Sequence, residues 1–290
     1  MDIKAVKASA PSLLPRRARE SSKHDYGRLL IVGGSTGFSG APTLASRAAV
    51  RAGAGLVYLA VPQSIYQIAA VKNDEAMVLP LPSNPLDGCI TAATTPQFDA
   101  AAARCGVIAA GPGLGRADGA VRLLSSLGKK SGAQLVLDAD ALWALSQLRP
   151  DFLAGLEKPA VLTPHEGEFR HCLGREISPS RLDAACRYAV EHRCIMVLKG
   201  ANTVVAFPDG GTYVNQTGNP GLSRGGSGDA LTGIIGALLC QFPAEKAVPL
   251  AVYLHGLAGD LAAEELGEYS MTVTDVIDRL PQAMKLITEE

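Results

Sequence analysis

Six short apolar runs, each halted by Gly, Asp, Pro, Thr or Lys, set the architecture open to this 290-residue chain. They span 29–32 before Gly33-Gly34, 56–61 before Pro62, 107–110 before Gly111, 135–137 before Asp138, 160–162 before Thr163-Pro164, and 195–198 before Lys199-Gly200. Runs of this length without a polar face are strands covered on both sides, the pattern of a parallel sheet. Between them the apolar spacing becomes helical, over 41–54, 119–130, 139–148, 167–173 and 180–192. Ser39 with Pro42, Asp138, and Ser178-Pro179 supply starts for these helices. The alternation predicts a single-domain α/β fold with a doubly wound, mostly parallel sheet flanked by helices. Residues 203–207 and 212–215 form a hairpin, because Asp209-Gly210-Gly211 supplies the positive φ of a tight turn. Two helices, 229–241 and 247–266, close the chain. The expected division is a mildly basic, solvated tail over 1–23 and one domain over 24–290.

Charge and composition exclude several function classes. Lys plus Arg is 27 against 28 for Asp plus Glu, and aromatics are 5% with one Trp, Trp143. Nucleic-acid binding needs a basic excess or a stacking surface, and neither is present. Cys89, Cys105, Cys172, Cys186, Cys194 and Cys240 are scattered without a C-x-x-C pair, so reduced thiols are expected rather than zinc or a disulfide scaffold. No stretch approaches the ~18 apolar residues of a membrane span, and no signal peptide opens the chain. The expectation is a soluble cytoplasmic protein.

Ligands of open α/β sheets bind beyond the carboxyl ends of the strands, where the glycines and polar residues collect here. The most informative segment is Asn219-Pro220-Gly221-Leu222-Ser223-Arg224-Gly225-Gly226-Ser227-Gly228-Asp229. Apolar residues at 231, 234, 235, 238, 239 and 242 put Asp229 at a helix start. Gly225, Gly226 and Gly228 allow backbone N–H groups to turn toward one point, a ready anion site, and Arg224 adds a cation. Asp229 supplies what a helix end lacks, a proton acceptor, so cradle and general base lie together as phosphoryl transfer to a hydroxyl requires. The bland alternative is that Asp229 only caps the helix.

Other segments are less specific. No G-x-x-x-x-G-K-[ST] occurs. Gly111-Pro112-Gly113-Leu114-Gly115 is a weak dinucleotide fingerprint but a reasonable loop for close approach of a ligand. In Leu162-Thr163-Pro164-His165-Glu166-Gly167-Glu168, His165 either contacts substrate or merely starts a helix whose dipole the glutamates favour. No metal site is expected, since His165 and His171 fall on different helix faces. Lys199, ahead of Gly200-Ala201-Asn202-Thr203, serves a phosphate or nucleotide pocket, or is a solvated strand-end lysine. Asp138 and Asp140 either bind a metal or polar ligand or cap the helix through Trp143, capping being favoured for Asp138; His192 and His255 are expected at helix surfaces, and His24 in a loop.

Taken in order, these segments, with Gly33-Gly34-Ser35, Gly40-Ala41-Pro42 and Leu137-Asp138-Ala139-Asp140, resemble the ADP/ATP-dependent NAD(P)H-hydrate dehydratases of the ribokinase-like superfamily. The resemblance covers residues 24–285. It implies a repair reaction. Hydrated NADH or NADPH, as the S epimer, is phosphorylated on its ring hydroxyl by ADP (ATP in eukaryotic forms) with Mg2+, and loss of phosphate restores the double bond, leaving AMP and phosphate. By the same resemblance Asp229 is the base, and Gly226, Ser227 and Gly228 hold the transferring phosphate. Lys199, Gly200, Ala201, Asn202, Thr203 and Gly228 line the nucleotide; Ala41, Gly113 or Gly115, and His165 meet the dinucleotide. It further implies a homotetramer and an epimerase partner, expected here on a separate chain. Leu222-Ser223-Arg224 departs from the Met-Ala common at that point. The rivals are a superfamily kinase for a thiazole- or pyrimidine-type alcohol, which L-T-P-H-x-x-E with G-P-G-L-G disfavours, and a non-catalytic nucleotide-binding regulator, which Asp229 disfavours.

Overall fold

The computed structural model describes residues 3–130 and 132–289. In chain order the elements are α1 (Ile3–Ser9), β1 (Arg28–Val32), α2 (Gly40–Arg51), β2 (Leu56–Pro62), α3 (Tyr66–Lys72), β3 (Met77–Leu81), α4 (Pro96–Arg104), β4 (Val107–Ala110), α5 (Asp118–Lys130) and β5 (Gln134–Leu137). There follow α6 (Asp140–Ser146), β6 (Val161–Leu162), α7 (Glu166–His171), α8 (Arg181–His192), β7 (Ile195–Leu198), β8 (Val204–Ala206), β9 (Thr212–Val214), α9 (Ser227–Leu239), α10 (Ala244–Leu266) and α11 (Val273–Leu286). Among the described residues the strands make one sheet, ordered β3-β2-β1-β4-β5-β6-β7-β8-β9. β3 through β7 in that order pair in parallel, and the β8–β9 hairpin joins β7 antiparallel. The order reverses between β1 and β4, which opens a crevice at their carboxyl ends.

The two-residue period of a strand divides the core. Leu29, Ile31, Val107, Ala109, Val136 and Val197 face α2, α9, α10 and α11. Leu30, Val32, Ile108, Ala110, Leu135 and Leu137 face the layer of α4, α5, α6 and α8. α9 is apolar all round because it runs inside, between the sheet, α2 and α10. Two glycines let it in: a Cβ on Gly233 would lie 1.9 Å from the Ala45 carbonyl oxygen, and one on Gly236 2.8 Å from Leu29 Cδ1.

The doubly wound, mostly parallel architecture expected from the sequence is the one observed. Several elements differ from expectation, and α3 and α4 lie in stretches where no helix is expected from the sequence. β3 carries Pro80 and is half exposed, as only an edge strand can be. α11 adds a third closing helix. Thr272 and Asp275 form its capping box, and Val276, Ile277 and Leu280 bury its inner face, although Pro281 interrupts the helical pattern. The segment read as a solvated tail is docked in part: Val6 and Leu14 are buried, and Ser9 Oγ lies 2.8 Å from Tyr253 Oη. Among the described residues no helix is long and apolar enough to cross a membrane.

Candidate functional site

The motifs singled out in the sequence sit where a strand ends or where a helix begins, Gly40-Ala41-Pro42 opening α2 and Gly226-Ser227-Gly228-Asp229 opening α9. Gly226 takes φ +97°, the left-handed turn that lets the chain enter α9, and Asp229 is the third residue of the helix. Ala230 N–H donates to the Gly226 carbonyl at 3.0 Å, the first full helical bond. The amides before it have no carbonyl within the helix to reach. Ser227 N–H finds the Arg224 carbonyl at 3.4 Å, whereas those of Gly228 and Asp229 have no partner among the described residues. Two free donors thus point out of the helix start, with a carboxylate beside them.

Behind this turn lies a charged cluster. Asp138, at the end of β5, is 1% exposed and has both oxygens bonded. Oδ1 accepts from Lys199 Nζ at 2.7 Å and Thr163 Oγ1 at 2.8 Å, and Oδ2 accepts from Thr232 Oγ1 at 2.9 Å. It does not cap α6, whose N-cap is Ala139 without a side-chain bond; the pull of an ammonium and two hydroxyls turns it inward instead. Nor is Lys199 a solvated strand-end residue, since it bridges Asp138 and lies 3.8 Å from Glu168 Oε2. A Cβ on Gly228 would come 3.0 Å from Lys199 Nζ and 3.5 Å from Asp138 Oδ2, so a side chain there would press on the ammonium.

The electrostatics follow from that packing. Burial, with Asp138 adding like charge, pushes the Asp229 carboxyl up to about 7, against the opposing pull of Lys199. Burial also works to raise Asp138, but the Lys199 charge and the bonds from Lys199, Thr163 and Thr232 outweigh it and hold the group below its ordinary value. For Lys199 burial works downward and is overcome by Asp138 and Glu168, so its pKa is raised and the ammonium is kept. His255, expected at a surface, is buried beneath the cradle 3.3 Å from Ser227 Oγ, and burial lowers its pKa to about 4. The helical spacing of α10 shows no polar face at His255, which is why sequence reasoning missed it.

The expected dinucleotide residues gather on the crevice side. Gly113, at φ +62°, packs against α2: a Cβ there would meet Phe38 Cβ at 2.9 Å and Ala41 Cβ at 3.2 Å. Ser35 Oγ donates to the Gly113 carbonyl at 2.9 Å, and Asp140 Oδ2 accepts from Gly115 N–H at 2.9 Å, pinning the loop from both sides. His165 starts a helix, one of the two readings open to it. It caps α7, with Nδ1 accepting from Glu168 N–H at 3.2 Å and Glu168 Oε2 accepting from its own N–H at 2.9 Å, yet its ring remains 60% exposed at the strand mouth. Gly200, Ala201 and Asn202 form an exposed turn, closed by Thr203 Oγ1 donating to the Gly200 carbonyl at 3.0 Å and held by Arg181 on the carbonyls of Leu198 and Ala201. Arg224, read as a phosphate cation, instead donates to the carbonyls of Gly221, Glu268 and Tyr269, because the loop it belongs to needs an anchor on the α10–α11 connection. The charged and glycine-rich segments from β5, β6, β7 and α9 therefore meet, while the glycine loop after β4 and Ala41 form the adjoining wall.

Comparison with known proteins gives the same picture. A family model described as NAD(P)H-hydrate dehydratase matches residues 29–282. A bifunctional NAD(P)H-hydrate repair enzyme from Moorella thermoacetica is 44% identical over 96% of this chain and 53% of its own length. An ADP-dependent (S)-NAD(P)H-hydrate dehydratase from Xanthomonas campestris is 34% identical over 97% of this chain and 98% of its own. The chain thus spans about half the length of the bifunctional relatives it matches. Among solved structures, an ADP/ATP-dependent NAD(P)H-hydrate dehydratase from Bacillus subtilis, co-crystallised with ATP and Mg2+, superposes with a TM-score of 0.80 at 32% identity, covering 98% of this chain and 96% of that one.

Proposed function

Since the chain belongs to the NAD(P)H-hydrate dehydratase family, we propose that it returns the S epimer of hydrated NADH or NADPH to the intact cofactor, spending ADP and releasing AMP and phosphate. The observation that carries this reading is Asp229: a carboxylate held near neutrality, without a hydrogen-bond partner among the described residues, beside two unpaired amides at a helix start.

In this reading the hydrated dinucleotide lies against Ala41, Gly113, Gly115 and His165, with its ring hydroxyl toward Asp229. Residues 199–203 and Gly228 line the nucleotide. Asp229 accepts the hydroxyl proton, the oxygen attacks the terminal phosphorus, and AMP leaves. The free amides at the start of α9, with Gly226 and Ser227 shaping the turn, stabilise charge on the migrating phosphoryl group. Phosphate is a far better leaving group than hydroxide, so the ring nitrogen's electron pair expels it, and loss of a proton from the adjacent ring carbon to the departing phosphate or to solvent reforms the double bond. A base poised near the working pH suits such a proton transfer.

Mg2+ fits as the nucleotide's companion. Asp138 has both oxygens bonded and Glu168 is engaged with His165 and Lys199, so this donor set suits an ion that arrives on phosphates rather than one caged by protein. Such an ion would neutralise phosphate charge. The reading also includes action in the cytoplasm, a homotetramer, and an epimerase activity that supplies the S form.

The test is recovery of the reduced-nicotinamide absorbance from hydrated NADH and NADPH, run in parallel with ADP and with ATP. Recovery that needs nucleotide supports the proposal. Absence of recovery with either nucleotide, alongside phosphorylation of a thiazole- or pyrimidine-type alcohol, would replace it with the kinase reading.

A further inference from the structure

Lys199 stands apart from the exposed turn that follows it. Its side chain leaves the end of β7 in the opposite sense, runs under the first turn of α9, and ends 2.7 Å from Asp138 Oδ1. The nearest point of α9 is Gly228, whose missing Cβ would touch Nζ at 3.0 Å and whose amide is one of the two unpaired donors. An ammonium has three N–H groups. One is spent on Asp138, Glu168 Oε2 at 3.8 Å is beyond hydrogen-bond length, and the side chain keeps 17% exposure. Donor capacity is therefore left over at the mouth of the cradle, on a charge whose position Asp138 fixes through bonds to β6, β7 and α9. Arg224, the other cation of the segment, is committed to backbone carbonyls.

We propose that Lys199 is the cation of the phosphoryl cradle, contacting the terminal phosphate of the nucleotide together with the Gly228 and Asp229 amides, and that Asp138 is the positioning residue that holds it there. This rests on the function proposed above and deepens it. It moves Lys199 from the nucleoside side of the site to the transferring group and makes it the residue that separates a nucleoside diphosphate from a monophosphate. Residues 200–203 then serve the nucleoside alone.

The test is calorimetric titration with ADP and, separately, AMP in magnesium-free buffer, so that no metal ion stands in for the ammonium. Lys199→Met alone would strand the buried Asp138 charge, so the main variant is the double Asp138→Asn/Lys199→Met. Asp138→Asn alone, which keeps an acceptor for Nζ and nearly the shape while Glu168 still favours the charged lysine, is the control. A hydrogen bond between charged groups corresponds to roughly ten- to hundredfold in affinity. The double variant should lose about tenfold or more of the ADP-over-AMP preference while AMP affinity holds within about threefold, and Asp138→Asn should keep the preference. Equal weakening of both nucleotides in the double variant would overturn the placement of Lys199. Asp138→Ala, which removes the acceptor for Nζ, should lose the preference as the double variant does, and an unchanged preference there would overturn the positioning role. Wild-type protein that binds neither nucleotide would overturn the proposed function itself, and this inference with it.

Discussion

Asp229→Asn should make the protein both inert and sturdier. The carboxyl titrates near 7 in the fold against an ordinary value of 3.8, a rise of about three pKa units, or about 4 kcal/mol at ~1.4 kcal/mol per unit. The folded state binds the proton more tightly than the unfolded chain. Wild-type stability therefore falls as pH rises from 3.8 to about 7, and the whole loss is present above that window. Asparagine fills the same space with no charge to bury, so it escapes the loss. Relaxation around the site reduces the gain to ~2–4 kcal/mol, or about 4–8 °C in Tm for a chain of this size. Scanning calorimetry from pH 4 to pH 8.5 should show the two Tm curves meeting at the acid end and separating through neutrality. The same substitution should lower kcat by about 10²–10⁴, the ordinary worth of a general base. Wild-type kcat/KM should drop tenfold for each pH unit below about 7. Parallel Tm curves would show that Asp229 carries no burial penalty, and retained turnover would remove it from the chemistry.

Gly113→Ala places a methyl 2.9 Å from Phe38 Cβ at a φ of +62°, so it should cost about 1–3 kcal/mol by urea titration and raise KM for the hydrated dinucleotide more than it lowers kcat. Asp140→Ala releases the Gly115 amide and should raise the same KM severalfold with a stability change near ~1 kcal/mol; Asp140→Asn, which keeps an acceptor, should restore it. Lys199→Met alone leaves Asp138 charged and unpaired, which should cost ~3–5 kcal/mol in denaturant, and adding Asp138→Asn should recover most of that.

The parallel strands were legible because burial on both faces removes every polar residue from them, and a run such as 107–110 admits no other reading. β3 was not legible, because an edge strand keeps one flank in water and tolerates Pro80, so its composition resembles a loop. The glycine-rich entry to α9 announced itself through residue types that only a sharp, close-packed turn needs. What could not be read were distances across the sheet. Asp138 is followed by a helix, and capping is the local use of such an aspartate. Its real partners, Thr163, Lys199 and Thr232, lie 25, 61 and 94 positions away, and only the sheet order brings them together. His255 was hidden for the same reason: its partner Ser227 lies on another helix. Arg224 shows the converse, a residue whose type suggested a ligand but whose neighbours in space are carbonyls.

Gly233 sits more than a turn behind the reacting end of α9, in dry interior, with its bare Cα pressed on the Ala45 carbonyl. A single methyl there would have to lever the whole rod away from α2, and its tip would swing with it, off the lysine and aspartate beneath. Aim is thus set from the rear, as a telescope is pointed by its mount. Selection on this chain should accordingly reach positions that no ligand ever touches.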